Sequence, residues 1–228
     1  MDWGAKIFAY CERGLDPGFW AEPLNAVSNV AFLIAAGVAL QHWRRTTARS
    51  GGKAELALIA LVAVIGVGSF MFHTLATRWA AIADTAPIGV FMLAYLGYAL
   101  RTFADQSWSR TGAALVLFAA SLWAVGQIRC GSGTCLNGSL GYAPALAALL
   151  LLGAWLGVRR HPAAGALITG GGVFLVSLTF RTLDRTVCPA TALTGGGPLG
   201  THFIWHLANA TLLYLLARAA LLHGRARA

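Results

Sequence analysis

Few side chains in this sequence are equipped for chemistry, and they form a short set. His202-Phe-Ile-Trp-His206 places two imidazoles at i and i+4, one above the other on a single helical face. Such a pair chelates a transition metal, and a third imidazole from another helix leaves one of zinc's four positions open for water. His73 is the candidate third ligand. The plainer reading of all three is helix-end histidines meeting a membrane interface. Ser69 precedes His73 by one helical turn, so its hydroxyl lies on the same face and could donate to a substrate carbonyl oxygen. A serine in such a helix more commonly bonds its own i−4 carbonyl. Asp84 is a carboxylate in an apolar segment, costly there unless paired or hydrated. Beside a metal-bound water it could serve as general base; the plainer reading is an interfacial acid.

The elements that must position these residues are membrane spans. Of 228 residues 57% are hydrophobic and only 11% charged, against a soluble norm of about 25% charged. Mean hydropathy is +0.66, which agrees. Apolar stretches lie near 24–43, 54–76, 79–100, 111–128, 142–158, 163–180 and 200–222. Long apolar runs in lipid must be helical, because every backbone group needs an internal partner there. The expected fold is all-α, a seven-transmembrane helix bundle forming a single domain over 1–228. An outer segment, 1–23, precedes the first span, and a short basic inner tail, 223–228, follows the last. The outer segment holds Asp2, Glu12, Asp16 and Glu22, unlike the basic start of a signal peptide. The sixth span carries Gly165, Gly170, Gly171 and Gly172, suited to close helix packing.

Seven spans put the termini on opposite sides, and the cations decide which. One side carries Arg44, Arg45, Arg49, Lys53, Arg101, Arg110, Arg159, Arg160, Arg218, Arg225 and Arg227; the other carries Lys6, Arg13, Arg78, Arg129, Arg181 and Arg185. The excess on the first side places the N-terminus outside and the C-terminus inside. It also accounts for the net charge of +9 without invoking nucleic acid. Only Lys6 and Lys53 are lysines, an arginine bias pointing to a GC-rich genome and so to a bacterial inner membrane. With alternating spans, His73, Asp84, His202 and His206 all converge at the outer, periplasmic leaflet. Cys11, Cys130, Cys135 and Cys188 fall on that same side, where disulfides persist. Cys130 and Cys135 bracket a short loop they could close, and Cys11 and Cys188 would then tie the outer segment to the last outer loop. Free thiols are the alternative.

Together these pieces resemble a family. Ser69-Phe-Met-Phe-His73, Asp84-Thr-Ala-Pro87 and His202-Phe-Ile-Trp-His206 are similar to the Ser/His, Asp and His-x-x-x-His motifs of the alkaline ceramidases. These belong to a superfamily of seven-helix membrane hydrolases that includes the adiponectin receptors. Tyr10-Cys11-Glu12 and Ala21-Glu22-Pro23-Leu24-Asn25-Ala26-Val27-Ser28-Asn29 resemble the family's N-terminal segment, and Asp184-Arg185-Thr186-Val187-Cys188 its Asp-x-x-x-Cys stretch. The resemblance implies that His73, His202 and His206 hold zinc, that Ser69 and Asp84 are catalytic partners, and that the family's disulfide falls on Cys11 and Cys188. The family also carries a calcium site. Glu12 and Glu22 match two of its acidic positions and Asp16 could supply a third, whereas Ala9 and Gly14 stand where the family has Asp and Asn. Three carboxylates in such a segment also fit a solvated acidic patch.

The function expected from this set is zinc-dependent hydrolysis of ceramide, or of a close N-acyl lipid, to a long-chain base and a fatty acid. The substrate and the surrounding bilayer are the expected partners; no protein partner is predicted. The rivals are a hydrolase of another N-acyl lipid, a receptor or transporter with a structural metal, and a haem protein. Histidines at i and i+4 on one helix chelate one ion better than they sandwich a macrocycle. No lysine lies within the expected spans, so a retinal Schiff base is excluded.

Overall fold

The computed structural model describes residues 2–46, 52–131, 133–192 and 197–224. Arg49, Arg225 and Arg227, counted above among the inner cations, lie outside the described residues, as does the tail 225–228. The helices are α1 (Pro23–Ser28), α2 (Val30–Thr46), α3 (Lys53–Leu75), α4 (Arg78–Thr102), α5 (Trp108–Gly126), α6 (Ala143–Val158), α7 (Ala164–Leu183) and α8 (His202–His223). With α1 and α2 taken as one broken span, seven segments are long and apolar enough to cross a membrane. The expected seven-helix bundle is the observed architecture. Lys53, expected just before the second span, is its first residue.

The bundle follows chain order, each span packing on the next, and closes where α8 meets α2. α3 and α8 are the most enclosed helices. α5, by contrast, buries only Thr111 and Phe118, and Val116 and Leu117 are each 72% exposed. Large apolar surface of that kind belongs against lipid. Two of the four α7 glycines act as close-packing positions. A Cβ on Gly171 would lie 2.4 Å from Leu150 Cδ2 and one on Gly170 3.1 Å from Leu212 Cδ1, whereas Gly165 and Gly172 face open space.

Local sequence sets where the helices begin and end. Thr77 caps α4, its hydroxyl accepting from the Ala80 N–H at 3.4 Å, and Ser107 caps α5 in the same way. α3 ends at Ala76 in the left-handed conformation (φ 48°), which turns the chain back into α4. This turn pairs with the N-terminal segment: the Ile7 N–H donates to Ala76 O at 2.7 Å, and the Arg78 N–H to Ala5 O at 3.1 Å. Pro87, inside α4, has no N–H to offer the Ala83 carbonyl. That carbonyl faces Gly68, where an added Cβ would lie 2.0 Å away. Only glycine permits the approach, and it brings Ser69 of α3 to Asp84 of α4.

The helix of the fifth span begins at Ala143, beside the expected 142, but an unexpected segment precedes it. Before α6 runs a 3-10 segment, Cys135–Tyr142, in which Leu136, Asn137 and Gly138 have positive φ. A two-stranded hairpin, β1 (Arg129–Cys130) with β2 (Gly133–Thr134), and the Cys130–Cys135 disulfide hold its entry. Its other anchor is Arg181 of α7, which donates to Asn137 O at 2.6 Å while the Asn137 amide donates to Arg181 O at 3.0 Å.

Asp184 organises the same end of the molecule. It is fully buried; one oxygen accepts the N–H groups of Thr201 (2.8 Å) and His202 (2.9 Å), and the other accepts from Cys11 N at 2.9 Å. One carboxylate thus fixes the start of α8, where the helix dipole favours negative charge, and fastens the N-terminal segment to it. The Cys11–Cys188 disulfide closes alongside, with Cα atoms 5.6 Å apart. Gly200 (φ +64°) completes the turn, since a Cβ there would lie 2.2 Å from Asp184 Oδ1. Replacing Asp184 by Ala leaves three buried donors without a partner, at about 1–3 kcal/mol each. The variant is expected to melt at a markedly lower temperature in a detergent unfolding assay, whereas exposed Arg185→Ala is not. Equal melting of the two variants would show that the cap contributes little.

Candidate active site

His73 is in the last turn of α3, and His202 and His206 are in the first turns of α8. Because α3 and α8 run in opposite directions, the three rings meet at one end of the bundle. Ring centroids are 5.1 Å apart for His73 and His202, 4.7 Å for His73 and His206, and 4.6 Å for His202 and His206. All three are fully buried, and each offers a ligand atom within 4.8 Å of the others. Among the described residues this is the one group of three or more His, Cys, Asp or Glu side chains gathered closely enough for a metal ion.

The remaining ring atoms show why this cluster suits a metal. His73 Nδ1 lies 2.5 Å from Glu22 Oε2, so a carboxylate accepts its proton and leaves Nε2 with a free lone pair. His206 Nδ1 lies 2.7 Å from Ser28 Oγ. The Ser28 hydroxyl already donates to Asn25 O, so its oxygen accepts from His206, again freeing Nε2. Nε2 of His73, Nε2 of His206 and Nδ1 of His202 are buried with no hydrogen-bond partner. Orphaned buried nitrogens are rare and costly; a cation ligated by imidazole satisfies them together, so the donor set fits zinc or a similar transition metal. Tyr10, from the N-terminal segment, stacks on His202 with centroids 3.6 Å apart.

Below the histidines lies a cavity of about 100 Å³. Ser69, Asp84 and His206 line its polar end, with Ser69 near enough to Asp84 for a side-chain hydrogen bond. The walls are apolar, among them Phe32, Ile65, Phe91, Leu149 and Phe174. Among the polar groups in these walls, the Tyr95 hydroxyl and the Asn209 amide nitrogen are buried and without a partner. Asn209 follows His206 by one turn.

The three carboxylates of the expected calcium site do not gather. Glu12 accepts the Leu24 and Asn25 N–H groups at 2.7 and 2.9 Å and so caps α1. Asp16 accepts the Gly18 N–H at 2.7 Å on the surface. Glu22 is shared by Arg13, His73 and Asn25. Burial works to raise the Glu22 carboxyl, but the hydrogen bonds from His73, Arg13 and Asn25 outweigh it and hold the group below the usual carboxylate range.

The structure thus brings His73, His202, His206, Ser69 and Asp84 together, and pairs Cys11 with Cys188 and Cys130 with Cys135. Sequence reasoning missed Arg13, Ser28 and Tyr10 as neighbours of the site, and placed Glu22 on a different ion. The one available signal for Ser28 and Glu22 was their position, a turn or two apart at the mouth of the first span.

No curated protein matches the chain at a significant level. The model of one family, Ceramidase, matches residues 9–223, which takes in most of the N-terminal segment and all seven spans. The chain therefore belongs to the Ceramidase family, membrane hydrolases that act on the amide of ceramide.

Proposed function

We propose that the protein is a zinc-dependent intramembrane amidase that hydrolyses ceramide to a long-chain base and a free fatty acid. The observation that carries this reading is the juxtaposition of three metal-competent imidazoles with Ser69 and Asp84 at the polar end of an apolar cavity. We place this end at the outer leaflet, with the N-terminus outside, because the loops at the opposite end hold most of the cations.

His73, His202 and His206 hold the ion. When bound, zinc supplies a Lewis acid and a nucleophile available at neutral pH. The rest is done by the chain's own groups. Glu22 and Ser28 fix the tautomers of His73 and His206, and Tyr10 covers the face of His202. Asp84 takes a proton from the water that adds to the amide carbonyl carbon, then passes it to the nitrogen as the C–N bond breaks. The Ser69 hydroxyl donates to the carbonyl oxygen as that atom gains negative charge. The apolar walls seat a hydrocarbon chain, and the unpartnered Asn209 amide is placed to receive a polar group of the lipid.

Fatty-acid release from a panel of ceramides and other N-acyl lipids, with purified protein beside His206→Ala, tests the reading. Release from ceramide is expected, and its loss together with the bound zinc in the variant. Full activity in metal-depleted His206→Ala would overturn the zinc mechanism. No release from any N-acyl lipid by a zinc-loaded protein would favour a receptor-like role with a structural metal. A second test separates chemistry from ligation: Ser69→Ala is expected to lower kcat by about 10²–10³-fold at unchanged zinc content. Zinc loss in that variant would make the serine a support for the ligands.

A further inference from the structure

Arg13 has the most completely used side chain near the site. Its guanidinium is wholly buried. Nε donates to Glu22 Oε1 at 2.5 Å. Nη1 donates to the carbonyls of Asp16 (3.0 Å) and Gly18 (2.7 Å). Nη2 donates to the carbonyls of His73 (2.8 Å) and Thr74 (3.3 Å). A guanidinium has five N–H groups, and five oxygens receive them.

Those oxygens come from three places: the loop of the outer segment, the carboxylate just before α1, and the last turn of α3. Four carbonyls and a carboxylate converging on one positive charge are the ligand types that hard divalent cations such as calcium take. Here the positive charge belongs to the chain. The oxygens of Glu12 and Asp16, which the family resemblance would assign to calcium, are turned to backbone N–H groups instead. The residues present do not fit a calcium site.

We propose that the Arg13 guanidinium is a built-in cation that takes the place of a divalent ion in the outer segment and, through Glu22, fixes His73 for metal binding. The linkage is short: Arg13 holds one Glu22 oxygen, the other oxygen holds His73 Nδ1, and the Asn25 amide donates to that second oxygen at 3.0 Å. Arg13 also holds the carbonyl of His73 itself, so it fixes both the backbone and the ring of one ligand. An arginine cannot lose its proton in a protein, so this cation is present at any calcium concentration. Arg13 is thus a positioning residue; it acts on the metal through Glu22 and His73.

The proposal rests on zinc occupancy of the three histidines, so the zinc content of the wild-type protein is measured first; its absence would count against the proposed function. Two readouts then address Arg13. Calcium chloride added to wild-type protein stripped of free calcium is expected to leave the melting temperature and zinc affinity unchanged. A saturable rise in either would overturn the proposal, and this arm needs no variant to fold. In Arg13→Gln, zinc affinity by chelator competition is expected to fall about 10–100-fold, as for the loss of other outer partners of a metal ligand. Arg13→Lys is expected to recover part of the loss, because it restores the charge with fewer donors. A folded Arg13→Gln protein with wild-type zinc affinity would also overturn it.

Discussion

The Glu22 carboxylate is the interaction on which the polar end of this protein depends. It is nearly inaccessible, and a buried carboxylate persists only where its oxygens are matched by positive charge and hydrogen-bond donors. Arg13 supplies the charge, His73 and Asn25 the further donors, and the chain is bent to bring all three together. Separate backbone bonds, from Ile7 to Ala76 and from Arg78 to Ala5, hold the N-terminal segment to the α3–α4 turn beside it. Asp184 repeats the solution at the other side of the site, where backbone donors replace the arginine. Two buried carboxylates therefore each fix one ligand-bearing helix end: Glu22 that of α3 and Asp184 that of α8.

Below this layer the physics reverses. The cavity walls are apolar, and their contribution is to exclude water and accept hydrocarbon. The polar groups facing the cavity near its mouth, Ser69 and Asp84, arrive there because a glycine at position 68 lets two backbones come into contact. A protein that must meet a lipid amide needs both regimes within a few ångströms. The helix ends provide the polar one, and the interior of the bundle provides the other.

How much of this was legible in the sequence depended on how far each residue stood out from its surroundings. His73, Asp84, His202 and His206 are ionisable residues in apolar stretches, so composition alone exposed them, and alternating span direction brought them to one end. The cysteines were readable for the same topological reason. Arg13 was not, because a cation in a segment with several acids reads as solvated until the fold shows that its side chain is enclosed. Glu12, Asp16 and Glu22 look like acids that could share an ion, yet three-dimensional partners separate them. Ser28 carries no charge and sits among ordinary helix residues, so only its contact with His206 reveals it. The 3-10 segment before the fifth span's helix was not legible, because a disulfide and three residues of positive φ, rather than hydropathy, shape the chain there.

The three histidines that could hold a metal ion are divided between the second span and the last. During synthesis the first four helices can enter the membrane with His73, Ser69 and Asp84 already in place, but His202 and His206 have not yet been made. A nascent chain lacking α8 holds one imidazole where three gather in the finished fold, and its Asp184 still lacks the Thr201 and His202 N–H groups as partners. The order of translation therefore completes the histidine cluster only with the final helix, which also closes the cavity wall with Trp205, Asn209, Leu212, Leu213 and Leu216.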